Sequence, residues 1–351
     1  MSDESSSPMT GMLVSGILVL ALLFAAQSVF APLFFALFII AIVWPCQVTL
    51  QAKLPRLLAL LITLVITVGF ITAIGSSLAW GLGRFGQWLF ANADRLQAAY
   101  ATAVDWLEQR GFAIAGPIGD WLDISRLLSV IQGAAGRLNR FGGFTLLVLI
   151  FVMLGLLEVE DFAARLKLPN ARPYGEIILA ASRIIAMKFR RYMLVRTLAS
   201  ILTGFLVWLL SIGAGLELAV AWGVIAFAFN YIPFLGPLVA TTLPTLFAIV
   251  QFDTWQPAVL IFVSLNIIQF VIGSYLEPRL AGASLAVSPS AVMFAVFFWS
   301  LVWGLAGAFI GVPILIAFIA FCSMGASTKW IATILSGSKV ETSDAEQGHG
   351  Q

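Results

Sequence analysis

The chain has 351 residues, 61% of them hydrophobic and 10% charged, where a soluble globular domain carries roughly a quarter charged residues. Polar groups must cover any surface that faces water, so this composition excludes a soluble enzyme, a secreted disulfide scaffold and a disordered chain. The net charge of +2, from 19 basic and 17 acidic residues, is too balanced for the dense basic face of a nucleic-acid binder.

Residues 1–10 read as a disordered, acidic and serine-rich tail without the positive n-region of a signal peptide. No charge occurs between Glu4 and Lys53 or between Arg56 and Arg84. About 20 apolar residues cross a bilayer as helix, the state that satisfies the backbone in hydrocarbon. The scaffold 11–83 therefore holds spans at 11–29, 32–44 and 57–83, with Gln27, Ser28 and Pro32 as the first break.

Residues 84–140 are polar, with six arginines and five acids. Apolar residues recur at helical spacing on both sides of the GFAIAGPIGD stretch, which predicts two extramembrane amphipathic helices around a turn. Segment 141–192 holds a fourth span, 141–158, and a basic stretch, 159–192, with Arg183, Arg190 and Arg191. The excess of Lys and Arg predicts that this stretch and both termini are cytoplasmic. Counting spans then places 84–140 outside.

The transport half, 193–328, holds spans at 193–213 and 256–276 and two runs of the wrong length. As one straight helix, 217–250 would be about 51 Å long against about 30 Å of bilayer core. Asn230, Pro233, Gly236 and Pro237 interrupt its middle; Gly304, Gly307, Gly311 and Pro313 interrupt 289–321. Each run reads as helix, break, helix. The charge pattern has the two hairpins entering from opposite sides, an inverted repeat as in secondary transporters. The expected fold is an all-α polytopic membrane protein with six full spans and two Gly/Pro-broken hairpins. Residues 329–351 form a polar C-terminal tail.

Candidate substrate or ion-path residues are Asn230, Pro233, Gly236, Gly304, Gly307 and Pro313, with Asn266 and Gln269 three apart on one helix face. Glu217 and Glu277 are candidate ion-coupling carboxylates. Both also suit span ends, with Glu277 paired to Arg279. Cys46 and Cys322 read as core residues. The only histidine is His349. No phosphate loop, metal motif or nucleophile elbow occurs, so no enzyme activity, cofactor or metal is expected.

NYIPFLGPLVA, then YLEPRLAGASLAVSPSAVMFAVFFWSLVWGLAGAFIGVPI and the upstream FRRYMLVRTLASILTG, resemble the autoinducer-2 exporter family, also called PerM-like permeases. Within it the quorum-sensing-signal transport branch is most similar. Many relatives have proline where this chain has Leu305. The resemblance implies an inner-membrane homo-oligomer that exports a small signal molecule in some members and exchanges sodium for protons in others. A small-molecule exporter is the first expectation. A Na⁺/H⁺ antiporter and a non-transporting membrane scaffold are the alternatives. The partners expected are the lipid bilayer, a small-molecule substrate, and Na⁺ or protons.

Overall fold

The computed structural model describes residues 8–111, 124–171, 174–252, 254–282, 287–325 and 327–337. Among these, secondary structure is helical apart from one isolated antiparallel bridge between Val287 and Ser336. Six helices are long and apolar enough to cross a membrane: Gln27–Gln51, Arg56–Ala91, Gly142–Leu166, Tyr174–Gly213, Trp255–Ala281 and Pro289–Cys322. Large apolar side chains such as Leu57, Leu61, Leu260 and Phe294 stay exposed along them, as expected where lipid replaces water. The chain is an all-α polytopic membrane protein.

The first helices differ from expectation. Helix α1 (Pro8–Ala25) meets α2 (Gln27–Gln51) at Ala26, and α2 runs unbroken through Pro32 and Pro45. Pro32, the sixth residue of α2, and Pro45 each remove one backbone hydrogen bond, yet the helix continues through both. Most described side chains of α1 are exposed. Near its end, the Leu23 carbonyl accepts a hydrogen bond from the Trp303 indole at 3.0 Å. Cys46 is exposed and Cys322 is buried, so only the second is a core residue.

Helix α3 (Arg56–Ala91) continues past residue 83, and α4 (Ala93–Glu108) follows after one residue. Leu96 of α4 packs on the cluster around Trp88 and Phe247. The predicted turn within GFAIAGPIGD lies largely outside the described residues, as do the two tails from 1 to 7 and from 338 to 351. Helix α5 (Ile124–Leu166) is continuous, and only the short 3₁₀ turn Pro169–Ala171 is described between it and α6 (Tyr174–Gly213). The basic stretch 159–192 is thus mostly helix. Charge marks where a helix leaves the hydrocarbon, while a helix ends only where a cap, proline or glycine ends it.

The C-terminal half follows: α7 (Ala219–Phe229), α8 (Leu235–Gln251), α9 (Trp255–Phe270), a π-helical segment (Val271–Leu276), α10 (Glu277–Ala281), α11 (Pro289–Cys322) and α12 (Lys329–Leu335), a short helix where a polar tail was expected. Helices gain no hydrophobic drive to associate within lipid, so small residues and close packing hold them. A Cβ on Gly204 of α6 would come to 2.8 Å of the Gly223 carbonyl, and one on Gly223 to 2.9 Å of the Gly204 carbonyl. This mutual approach seats α7 directly on α6.

Candidate functional site

Two broken hairpins organise the C-terminal half. In the first, α7 and α8 are joined by Asn230–Phe234. Its backbone is satisfied locally: Asn230 N–H donates to the Ala226 carbonyl at 3.0 Å and Gly236 N–H to the Ile232 carbonyl at 2.9 Å. Pro233 is buried in the turn. A side chain on Gly236 would run into Phe229 and Asn230, so glycine lets the returning arm start this close. Phe234 takes a positive φ of 63°, a strained value for a residue with a Cβ.

The second hairpin is α11 itself. The helix breaks at Trp303 (φ −127°, ψ 17°) and Gly304 (φ 62°, ψ −142°). Nothing crowds Gly304; its conformation, not space, requires glycine. The arms then run back antiparallel. A Cβ on Gly307 would fall on the Trp299 carbonyl, and one on Gly311 would lie 2.8 Å from the Ala295 carbonyl. Pro313 is buried in the returning arm, away from the turn. Leu305 opens that arm and is exposed.

The hairpins open toward opposite ends of α6. At the base of the first, the Gln251 amide donates to the Gly215 carbonyl (2.9 Å) and accepts from Glu217 N–H (2.8 Å), just past Gly213. Near the base of the second, Val292 and Ile316 share a core cluster with Ile185 and Phe189, roughly 36–42 Å back along α6 at 1.5 Å per residue. The tips overlap between these ends: the Tyr231 ring stacks on Phe309 with centroids 6.0 Å apart, and Ile232 joins the cluster of Val296, Ala308 and Val312.

Beside the first tip lies a buried polar layer. Asn230 is 3% exposed, and its Nδ2 donates to Ser200 Oγ at 3.2 Å. The Tyr231 hydroxyl meets Thr197 Oγ1 at 3.2 Å. Val207 of α6 and Leu265 of α9 share one buried cluster. One turn further along each antiparallel helix, the same faces carry Thr203 and Gln269. Thr203 Oγ1 and Gln269 Nε2 are both buried without a hydrogen-bond partner. The register continues to Arg196 and Glu277, whose Nη1 and Oε1 stand 2.6 Å apart. Hydroxyls and amides can donate and accept, so this layer suits a polar ligand, and its orphaned atoms leave capacity for one.

The remaining candidates fall elsewhere. Asn266 is exposed, and its amide returns to the Phe262 carbonyl of its own helix at 2.8 Å; it does not share the Gln269 environment. Glu217 is exposed at the first hairpin's base, where Oε2 accepts from the Trp88 indole at 2.6 Å and its carbonyl from the Trp222 indole at 3.0 Å. Glu277 pairs with Arg196 rather than Arg279, whose guanidinium lies 4.0 Å over the Tyr275 ring. An apolar groove of about 590 Å³ between α3, α6 and α7, walled by Phe70, Phe205, Trp208 and Phe227, is separate from the polar layer. Ser200 and Thr203 escaped the sequence reading although the signal existed: Arg196, Ser200 and Thr203 fall on one face of an apolar span.

The comparisons agree with this architecture. The family model of AI-2E family transporters matches residues 13–326. The AI-2 transport protein TqsA of Escherichia coli K12 is 28% identical over 330 residues, covering 93% of this chain and 94% of the relative. A putative transport protein of Borreliella burgdorferi B31 is 30% identical over 206 residues, 58% of this chain and 57% of its own. The putative transport protein YhhT of Escherichia coli K12 is 27% identical over 195 residues, 56% and 52% of the two chains. With five unbroken apolar helices long enough to cross a bilayer, a sixth of that length folded back as the second hairpin, and a family match over nearly its whole length, this chain is a multi-pass inner-membrane protein that belongs to the AI-2E family of transporters.

Proposed function

We propose that the chain is a secondary transporter that exports a small, polar, signal-like molecule through the layer where the hairpin tips overlap. The observation that carries this reading is the turn of the first hairpin. Asn230, at a helix break deep in an apolar bundle, faces inward onto Ser200, on the α6 face that carries the unpartnered Thr203 hydroxyl. Broken helices whose polar groups meet between oppositely directed repeats are the usual substrate sites of secondary transporters. Residues 11–83 and 141–192 serve as scaffold. Residues 84–140 form an extramembrane helical region at the surface of a homo-oligomer, and both termini are cytoplasmic.

The test is release from proteoliposomes loaded with autoinducer-2, the molecule in the name of the Escherichia coli relative. Wild-type protein should empty vesicles faster than lipid alone, and Asn230→Ala and Gln269→Leu should slow release while leaving the protein monodisperse. Release no faster than from protein-free vesicles, with or without Na⁺ and proton gradients, would overturn the reading. A Na⁺/H⁺ antiporter is the second reading. It is motivated by Glu277, a carboxylate inside the bundle with a side chain 21% exposed. It requires pH-dependent Na⁺ flux that Glu277→Gln abolishes.

A further inference from the structure

The polar layer ends in an ion pair. Arg196 Nη1 lies 2.6 Å from Glu277 Oε1, with the side chains 11% and 21% exposed. The partners are 81 residues apart in sequence and lock α6 to the end of the α9 assembly. The other charged and titratable groups around them are engaged elsewhere or neutral. Arg191 donates to the Leu280 carbonyl at 2.7 Å, Arg279 lies over Tyr275, and the Tyr192 hydroxyl is buried beside the Arg196 guanidinium, on the cation's side of the pair. Among the described residues, Glu277 therefore has one cation in direct contact, and the protein supplies it.

The backbone fixes this meeting. Val271–Leu276 is wound as a π-helix immediately before Glu277, a form that tends to occur at functional positions. Rewound as an α-helix, the segment would turn Glu277 by about 100° around the axis, one residue's share of a 3.6-residue turn, and off Arg196. The opposite partner is fixed from the substrate side: Thr197, next to Arg196, holds the hydroxyl of Tyr231 at the first hairpin tip.

We propose that Arg196 is a tethered counter-cation that occupies the cation site of Glu277, closing this carboxylate to Na⁺ and protons and leaving the transport layer without net charge. A half-buried carboxylate that loses its partner favours a replacement cation or proton, since an unpaired charge away from bulk water is unfavourable. Removing Arg196 alone therefore opens a site that a proton or Na⁺ fills. Removing both partners leaves a neutral pair of polar side chains. The inference rests on the transporter reading for its consequence, cation-independent transport, but not for its chemistry.

The test is dicyclohexylcarbodiimide labelling of the full-length protein in liposomes, read at Glu277 by peptide mass spectrometry. This reagent attacks protonated carboxyls in apolar surroundings. Glu277 should resist labelling in the wild type with or without Na⁺. In Arg196→Gln it should label, and Na⁺ should suppress the labelling. The charge exchange Arg196→Glu with Glu277→Arg should restore resistance, now at position 196, which a purely steric role for Arg196 would not do. In autoinducer-2 release, Arg196→Gln should become sensitive to Na⁺, while the wild type and the double variant Arg196→Gln, Glu277→Gln stay insensitive. Equal labelling of Glu277 in the wild type and Arg196→Gln, whether strong or absent, would overturn the proposal. If the wild type releases no autoinducer-2, the transporter reading fails, and the labelling still decides whether Arg196 shields Glu277.

Discussion

The methyl group that alanine would add at Gly307 has no room, because the Trp299 carbonyl of the facing arm occupies that position. Gly307→Ala should destabilise the protein by about 1–3 kcal/mol, the cost of overpacking. Gly75→Ala, in the middle of α3 where nothing lies within 4 Å, should instead stabilise by roughly 0.5–1 kcal/mol, the helix-propensity advantage of alanine over glycine. Thermal unfolding in detergent separates the two; equal melting temperatures would refute the close approach of the arms. At the first hairpin's base, Trp88→Phe keeps an aromatic ring but removes the indole donor to Glu217, and a loss of about 0.5–1.5 kcal/mol follows, because water can replace the donor at this exposed carboxylate. The same melting assay reads it. Some of this was legible in advance. Gly304, Gly307, Pro233 and Gly236 stand out because helix breakers in overlong apolar runs have few other uses. The partner of Glu277 was not legible: Arg279 is nearer in sequence, but it lies over Tyr275, and only antiparallel packing of α6 with α9 brings Arg196 into reach.

Helix limits show what charge spacing does and does not encode. The charge-free runs locate the hydrocarbon core, yet α3, α5 and α6 each extend well beyond their runs. Arg84, Glu158 and Arg190 are ordinary helix residues once the chain emerges from the core, and nothing at those positions stops a helix. Where a true stop exists, as at Pro169 or between Asn230 and Phe234, the structure breaks. The opposite entry of the hairpins also follows from charge bookkeeping along the chain, and the packing along α6 agrees with it. That arrangement predicts opposite accessibility for two exposed tryptophans, Trp255 just beyond the first hairpin's base and Trp330 just beyond the second's. In intact cells, a membrane-impermeant thiol reagent should label Trp255→Cys from outside. It should reach Trp330→Cys only after the membrane is opened. Labelling of both from one side would refute the inverted arrangement.

For the molecule as a whole, the first hairpin is held at its base, the second at its turn, and the two meet near their tips. The first base is tied through Glu217 and Gln251 to Trp88 and Gly215. The second hairpin is pinned at its turn, through Trp303, to the Leu23 carbonyl of α1. Between these anchors, the stacked rings of Tyr231 and Phe309 stand beside the polar layer, so the proposed export route requires the tips to part. The decisive measurement replaces Tyr231 and Phe309 with cysteines in a chain whose Cys46 and Cys322 are first changed to serine and alanine. A short bis-methanethiosulfonate linker joins the pair in proteoliposomes loaded with autoinducer-2. Release should stop when the pair is linked and resume when dithiothreitol cuts the linker. Undiminished release from fully linked protein would contradict the account, because the hairpin tips would then not need to move for the molecule to pass.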